Sequence, residues 1–226
     1  MTPLRFVIGY DPVEATAYHV LTHSILTRAS VPVSFLPLAR PTLTKTFTRP
    51  RGPMESTDFS ISRFLTPYLA GYEGIAVYLD SDMLCRTDVA GLWDEVDRIS
   101  AAGPWAVAVC PHDYTPTGTT KFLKQPQSVY PRKNWSSLMV FQADRCRALT
   151  PEYVNVASGL DLHRFCWISD DQIATLPLEW NWLVGEYDDT PAAKILHFTL
   201  GGPWFDETTD CDGAADWFAE YAAMVG

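Results

Sequence analysis

No apolar run in this sequence approaches the roughly 20 residues that a membrane-crossing helix requires. The opening Met1-Thr2-Pro3-Leu4-Arg5 does not begin the apolar stretch of a secretory leader. Cysteine is sparse: Cys85, Cys110, Cys146, Cys166 and Cys211 are scattered, odd in number and without a CxxC spacing, so reduced thiols are expected rather than a disulfide framework. Positive charge is short as well. With 17 Lys and Arg against 27 Asp and Glu, the formal net charge is −10. Such a surface repels nucleic-acid phosphates and anionic membranes, which removes both as expected partners. The expectation from these absences is a soluble, cytoplasmic protein.

What is present is apolar mass. The 226 residues are 47% hydrophobic and 13% aromatic, enough for a sizeable core in a single domain spanning 1–226. Leu4 to Tyr10 reads as a strand, Glu14 to Arg28 as a helix and Val33 to Leu38 as a second strand, the opening of a parallel α/β fold. A helix is expected through Ser62, Arg63 and Tyr68, capped near Asp58 and broken or kinked at Pro67. Ile75 to Leu79 is a continuous apolar run, the pattern of a strand buried on both faces. Val89 to Ser100 reads as a helix, Trp105 to Val109 and Leu138 to Phe141 as strands, and Pro151 to Ala157 as a short helix. Asp170 to Leu176 is expected to be a helical turn with Asp170 as its cap. Ile195 to Phe198 ends the strands, and Ala214 to Met224 is a last helix.

Eight of the 17 basic residues fall in two irregular segments: Arg40, Lys45, Arg49 and Arg51 in the first, Lys121, Lys124, Arg132 and Lys133 in the second. The only acid in either is Asp113. Long irregular loops in compact domains are usually functional or mobile, and these two suit an anionic ligand.

The chemistry sits at Asp80-Ser81-Asp82, directly after the buried Ile75 to Leu79 strand. In parallel α/β sheets, ligands bind outside the carboxyl ends of the strands. Residues two apart on an extended chain face one side, so both carboxylates can meet one cation. Two hard oxygen ligands suit Mn²⁺ or Mg²⁺, with diphosphate oxygens in the open positions.

From these residues onward the chain resembles family 8 of the retaining glycosyltransferases, which includes glycogenin and bacterial lipopolysaccharide galactosyltransferases. Ser62-Arg63-Phe64-Leu65, leading to Tyr78-Leu79-Asp80-Ser81-Asp82-Met83-Leu84, is similar to the family's arginine helix and acidic strand end. Trp135-Ser136-Ser137-Leu138-Met139-Val140-Phe141 resembles its Phe-Asn-Ser-Gly strand. Asp171-Gln172, Leu176-Pro177 and Trp180-Asn181 resemble its Asp-Gln, Leu-Pro and Asn segment. His197-Phe198 with Gly201-Gly202-Pro203-Trp204 resembles its His-Phe and Lys-Pro-Trp ending.

The resemblance implies a GT-A fold: one domain with a Rossmann-like, mostly parallel central sheet flanked by helices. It implies Asp80, Asp82 and His197 as ligands of Mn²⁺ (or Mg²⁺), and Asp171 and Gln172 as catalytic residues facing the donor sugar. Gly9, Tyr10, Asp11, Arg63, Ser81, Ser136, Gly201 and Gly202 would contact a UDP-sugar donor. The acceptor hydroxyl (glycan, lipid, protein or small molecule) is open, with Lys121, Lys124, Arg132, Lys133, Trp180 and Trp182 as candidates for its wall or a lid. Gly202 stands where the family has lysine, Ser136 where it has asparagine and Leu138 where it has glycine. The segment from Lys121 to Lys133 is the expected substitute for that lysine. His19, His23, His112 and His163 have no comparable context.

Two other readings remain. One is a non-catalytic nucleotide-sugar or carbohydrate-binding protein of the same fold. The other is a sugar nucleotidyltransferase, although Gly9-Tyr10-Asp11-Pro12-Val13-Glu14 is acidic where that chemistry expects a glycine- and lysine-rich phosphate loop.

Overall fold

A computed structural model describes residues 3–53, 55–113 and 131–226, with the backbone of 120–121 and 125–126. Strands Leu4–Tyr10 (β1) and Val33–Ala39 (β2) flank helix Ala15–Arg28 (α1). A short helix, Thr66–Leu69 (α2), precedes strands Ile75–Leu79 (β3) and Met83–Cys85 (β4). Helix Gly91–Ala102 (α3) leads to Val107–Val109 (β5). Thr120–Lys121 (β6) and Gln125–Pro126 (β7) pair with each other. Then come Leu138–Gln142 (β8), helices Pro151–Val156 (α4) and Gly159–His163 (α5), and Ile173–Thr175 (β9). Trp182–Leu183 (β10), Ile195–His197 (β11) and helix Ala214–Val225 (α6) complete the chain.

The main sheet has the order β2-β1-β3-β8-β5-β9. All its strands run one way except β8, which is antiparallel to both β3 and β5. Alternation along each strand divides the core in two. Phe6, Ile8, Val77 and Leu79 join Leu21 and Ile25 of α1 and Leu92, Val96 and Ile99 of α3 on one face. Val7, Tyr78, Met139 and Phe141 meet Phe59, Phe64, Val154 and Leu162 on the other. A small sheet of order β10-β11-β4 packs on α1 and α6 through Val20, Leu196, Phe198 and Trp217.

Two local expectations need correction. Asp170 to Leu176 is not one helical turn: a 3₁₀ turn, Asp170–Gln172, passes straight into β9. Parallel pairing with β5 captures Ile173 to Thr175, so tertiary hydrogen bonds override the local pattern. Asp170 does not cap that turn, since Ser169 holds the cap position. The helix through Ser62 divides into a 3₁₀ turn, Ser62–Leu65, and α2, with Pro67 in the first turn of α2, where its missing N–H costs nothing. Asp58 does not cap it and instead pairs with Arg51 at 2.9 Å.

Candidate functional site

The Asp80-Ser81-Asp82 tripeptide is the crossing from one sheet to the other: β3 ends just before it and β4 begins just after. Asp80 N–H donates to the Ser137 carbonyl at 3.0 Å, extending the β3–β8 ladder. On the other side, β11 pairs antiparallel with β4, which sets His197 opposite Met83. Phe198 N–H donates to the Asp82 carbonyl at 2.8 Å. This register carries the His197 imidazole to the acids, with Nε2 at 3.4 Å from Asp82 Oδ1. One ligand atom each from Asp80, Asp82 and His197 falls within 4.8 Å of the others.

The acids have different surroundings. Asp80 accepts a 2.6 Å hydrogen bond from the Tyr78 hydroxyl and pairs with Arg63 Nη1 at 2.9 Å. Burial pushes its carboxyl up; Arg63 pulls it back, while the Asp82 charge adds to the rise. At Asp82, burial also works upward, but the His197 imidazole outweighs it and holds the carboxyl below its ordinary value. Burial works against charge on His197, yet Asp82 wins and the imidazole is raised above its ordinary value. Nearby, burial and the charges of Asp82, Asp11 and Asp80 push the Glu14 carboxyl well up. Asp82 Oδ1 is buried and accepts no hydrogen bond from the described residues. An orphaned carboxylate oxygen beside a second carboxylate and an imidazole fits a divalent cation.

Behind the cluster runs a buried polar chain. His197 Nδ1 is 2.9 Å from Asn181 Oδ1. Asn181 Nδ2 reaches Ser137 Oγ at 2.8 Å and His112 Nε2 at 3.0 Å. His112 Nδ1 is 3.0 Å from the Tyr187 hydroxyl. Burial, with His197 adding, pushes His112 down to about 3, so it is neutral.

A cleft of about 710 Å³ opens over Asp80, Asp82 and His197. Its walls come from residues between Arg49 and Arg63, from Asn134, Ser136 and Ser137, from Ser158 to Leu160 with His163, and from Thr199. Arg63 Nη1 bridges Asp80 to the Ser136 carbonyl, the latter at 3.0 Å. Ser136 Oγ lies 2.7 Å from His163 Nδ1. The structure thus brings Asp80, Asp82, His197, Arg63 and Ser136 together.

Other sequence candidates lie elsewhere. Gln172 precedes β9, and its carbonyl accepts from Ala106 N–H, so it sits at the amino ends of the parallel strands, opposite to Asp80. Its side chain accepts from Ser169, and Asp171 is exposed. Neither lines the cleft. Asp11 is spent on backbone, accepting from Val13 N–H and Asp58 N–H, both at 3.0 Å. Gly9 lies beneath the Phe59 ring, where an added Cβ would come within 2.5 Å, and Tyr10 packs on Tyr18. Gly9 and Asp11 therefore back the cleft wall at Asp58 and Phe59, while Tyr10 packs on the other face of the sheet. Ser81 is wholly buried and outside the cleft. Gly201 turns with φ of +112°, and a Cβ on Gly202 would strike the Trp204 ring at 2.0 Å, so a lysine there would require that ring to move.

Trp180 is a core residue with Lys194 over its ring at 4.5 Å, and Trp182 donates to the Asp188 carbonyl. Neither lines the cleft. Arg132 is engaged by Asp170 and the Arg164 carbonyl, both at 2.7 Å, and Lys133 is buried. The side chains of Lys121 and Lys124 lie outside the described residues. From the other basic segment, Arg49 does line the cleft. His112 and His163, given no role by the sequence, both join the site; no local pattern marks them, because their partners come from distant segments. Asn181 was legible only as part of a motif.

Comparison with solved structures places the fold. The bifunctional glycosyltransferase WbbM aligns with a TM-score of 0.66 at 17% identity, over 98% of this chain and 50% of WbbM. GlyE from Streptococcus pneumoniae gives 0.61 at 16% identity, over 99% of this chain and 62% of GlyE. The galactosyltransferase LgtC, solved with donor and acceptor sugar analogues, gives 0.61 at 12% identity, over 99% of this chain and 97% of LgtC. The fold is therefore that of the GT-A glycosyltransferases, and the chain spans about half to two thirds of the first two proteins. No helix among the described residues is long and apolar enough to cross a membrane. No family model matches the sequence. Protein CDI of Arabidopsis thaliana is 44% identical over 227 residues, covering 96% of this chain and 86% of its own length. At that identity over that coverage, this chain belongs to the same family as Protein CDI.

Proposed function

We propose that this chain is a metal-dependent retaining glycosyltransferase, similar to family 8, that moves a sugar from a UDP-sugar to an acceptor hydroxyl. The observation that carries it is the Asp80, Asp82 and His197 cluster in the cleft, with Asp80 and His197 buried and an Asp82 oxygen that accepts no hydrogen bond from the described residues. These three residues would hold Mn²⁺ (or Mg²⁺). Such a cation masks the charge of a departing nucleoside diphosphate. Arg63 and Tyr78 hold Asp80 in place. Ser136 and His163 present a hydroxyl and an imidazole to the cleft, suited to sugar hydroxyls. Arg49 also lines the cleft, with its guanidinium donating to the Ala157 carbonyl and facing Glu55 at 3.8 Å. The protein would act in the cytoplasm, as a single domain, without nucleic acid as a partner.

A binding protein without turnover is the second reading, and the position of Asp171 and Gln172 at the opposite end of the sheet favours it. Incubation with a panel of UDP-sugars and candidate acceptors, with and without Mn²⁺, separates the two. Mn²⁺-dependent UDP release supports transfer. Mn²⁺-dependent thermal stabilisation by a UDP-sugar without release supports binding alone. If neither occurs with any donor, both readings fall.

A further inference from the structure

The chain behind His197 has a direction, and one hydroxyl sets it. Ser137 Oγ donates to the Asn134 carbonyl at 2.7 Å. Its single hydrogen is thereby used, so toward Asn181 it can only accept. The group facing it at 2.8 Å must then be the amide NH₂ of Asn181. The same NH₂ points its second hydrogen at His112 Nε2, 3.0 Å away, which accepts and leaves the His112 proton on Nδ1 for the Tyr187 hydroxyl. With the NH₂ fixed on that side, the Asn181 oxygen faces His197 Nδ1 at 2.9 Å. An amide oxygen only accepts, so the hydrogen lies on Nδ1 and the lone pair of neutral His197 lies on Nε2.

We infer that Asn181 is a positioning residue which, oriented by Ser137 and His112, fixes His197 as the Nδ1–H tautomer and reserves Nε2 for the cation. This rests on the metal site proposed above. Without that oxygen the imidazole could place its proton on Nε2 against Asp82 and close the site to metal. Outer partners that hold a histidine ligand in one tautomer typically matter 10- to 100-fold in metal affinity.

Two measurements on the full chain test this. Calorimetric Mn²⁺ binding is compared among wild type, Asn181→Leu and Asn181→Asp. The leucine variant is expected to bind about 10- to 100-fold more weakly. The aspartate variant keeps an accepting oxygen toward Nδ1 but loses the NH₂ donated to Ser137 and His112, so it should bind Mn²⁺ more tightly than the leucine variant. Histidine ¹⁵N NMR of the wild-type protein loaded with Zn²⁺ should show His197 protonated at Nδ1 and metal-bound at Nε2. A spectrum with the proton on Nε2 overturns the inference, as does undiminished Mn²⁺ affinity in a folded leucine variant. If the leucine variant does not fold, the wild-type spectrum decides. Absence of any Mn²⁺ or Zn²⁺ binding by wild type brings down the metal site itself, a separate failure from a metal-binding wild type that is indifferent to Asn181.

Discussion

Two acid–imidazole clusters in this molecule are built from similar parts to different ends. Between α1 and α6, Glu220 is buried with His23 at 2.5 Å on one oxygen and Arg28 at 2.6 Å on the other. Each oxygen has a partner, and the cluster joins two helices. Between β4 and β11, Asp82 meets His197 at only 3.4 Å, its Oδ1 accepts no hydrogen bond from the described residues, and Asp80 adds a second carboxylate. The first cluster is closed and joins two helices; the second leaves one Asp82 oxygen without a donor among the described residues and opens into a cleft. A buried carboxylate oxygen without a donor costs stability unless something fills the gap. The difference teaches that satisfaction of the acid, more than the presence of an acid–histidine pair, separates a structural cluster from a candidate cation site.

The largest effect should break the comparison outright. Asp82→Ala should weaken Mn²⁺ binding by more than roughly 100-fold, beyond the effect of an outer-shell change, and abolish Mn²⁺-dependent UDP release. Calorimetry and a UDP-release assay read both. Glu220→Gln should do the reverse, lowering unfolding free energy by about 1–3 kcal/mol in denaturant titration with Mn²⁺ affinity intact. Gly9→Ala should cost a similar ~1–3 kcal/mol, because its Cβ would meet the Phe59 ring at 2.5 Å. It should also weaken donor binding by shifting that wall of the cleft, which a UDP-sugar titration measures.

Acidity sharpens the contrast with opposite signs. His197 is raised above its ordinary value of 6.5, so in metal-free protein its pairing with Asp82 contributes fully below that value. This contribution is lost as pH rises through the raised pKa. For Glu220, burial pushes up but Arg28 and His23 outweigh it and hold the carboxyl below 4.5. Its contribution is present above that value and is lost as pH falls through the lowered pKa. Mn²⁺ competes with the His197 proton, so its gain in melting temperature should grow with rising pH over the range where the metal-free protein weakens. Melting curves with and without Mn²⁺ check both limbs. The smallest effect is expected of Gln172→Ala: turnover within about twofold of wild type, since its side chain bonds Ser169 at the end of the sheet opposite the cleft. A large loss would show that Gln172 reaches the donor after all.

Much of this was legible locally. The strand from Ile75 to Leu79 announces itself by continuous apolarity, and an acid two residues from another at its end needs only strand geometry to share a side. Thr150 caps α4 by accepting from Tyr153 N–H, as a threonine before proline suggests. Asp171 and Gln172 misled because a motif records order and spacing, while position depends on the element that follows. Here β9 follows at once and enters the sheet from the end opposite Asp80. Arg63 was legible as a cation near the site, but not as one already committed to Asp80 and the Ser136 carbonyl.

By itself, then, the sequence determined the alternating cores, the buried strand and the acids at its carboxyl end, because side-chain alternation and local capping act within a few residues. Only the tertiary structure decided that His197 meets Asp82, that Ser137 and His112 orient Asn181 behind it, and that Gly9 and Asp11 support a wall instead of lining it. Those outcomes depend on the register of β4 against β11 and of β3 against β8. Register between segments distant in sequence is set by the summed packing and hydrogen bonding of the whole sheet, which no short stretch of residues encodes.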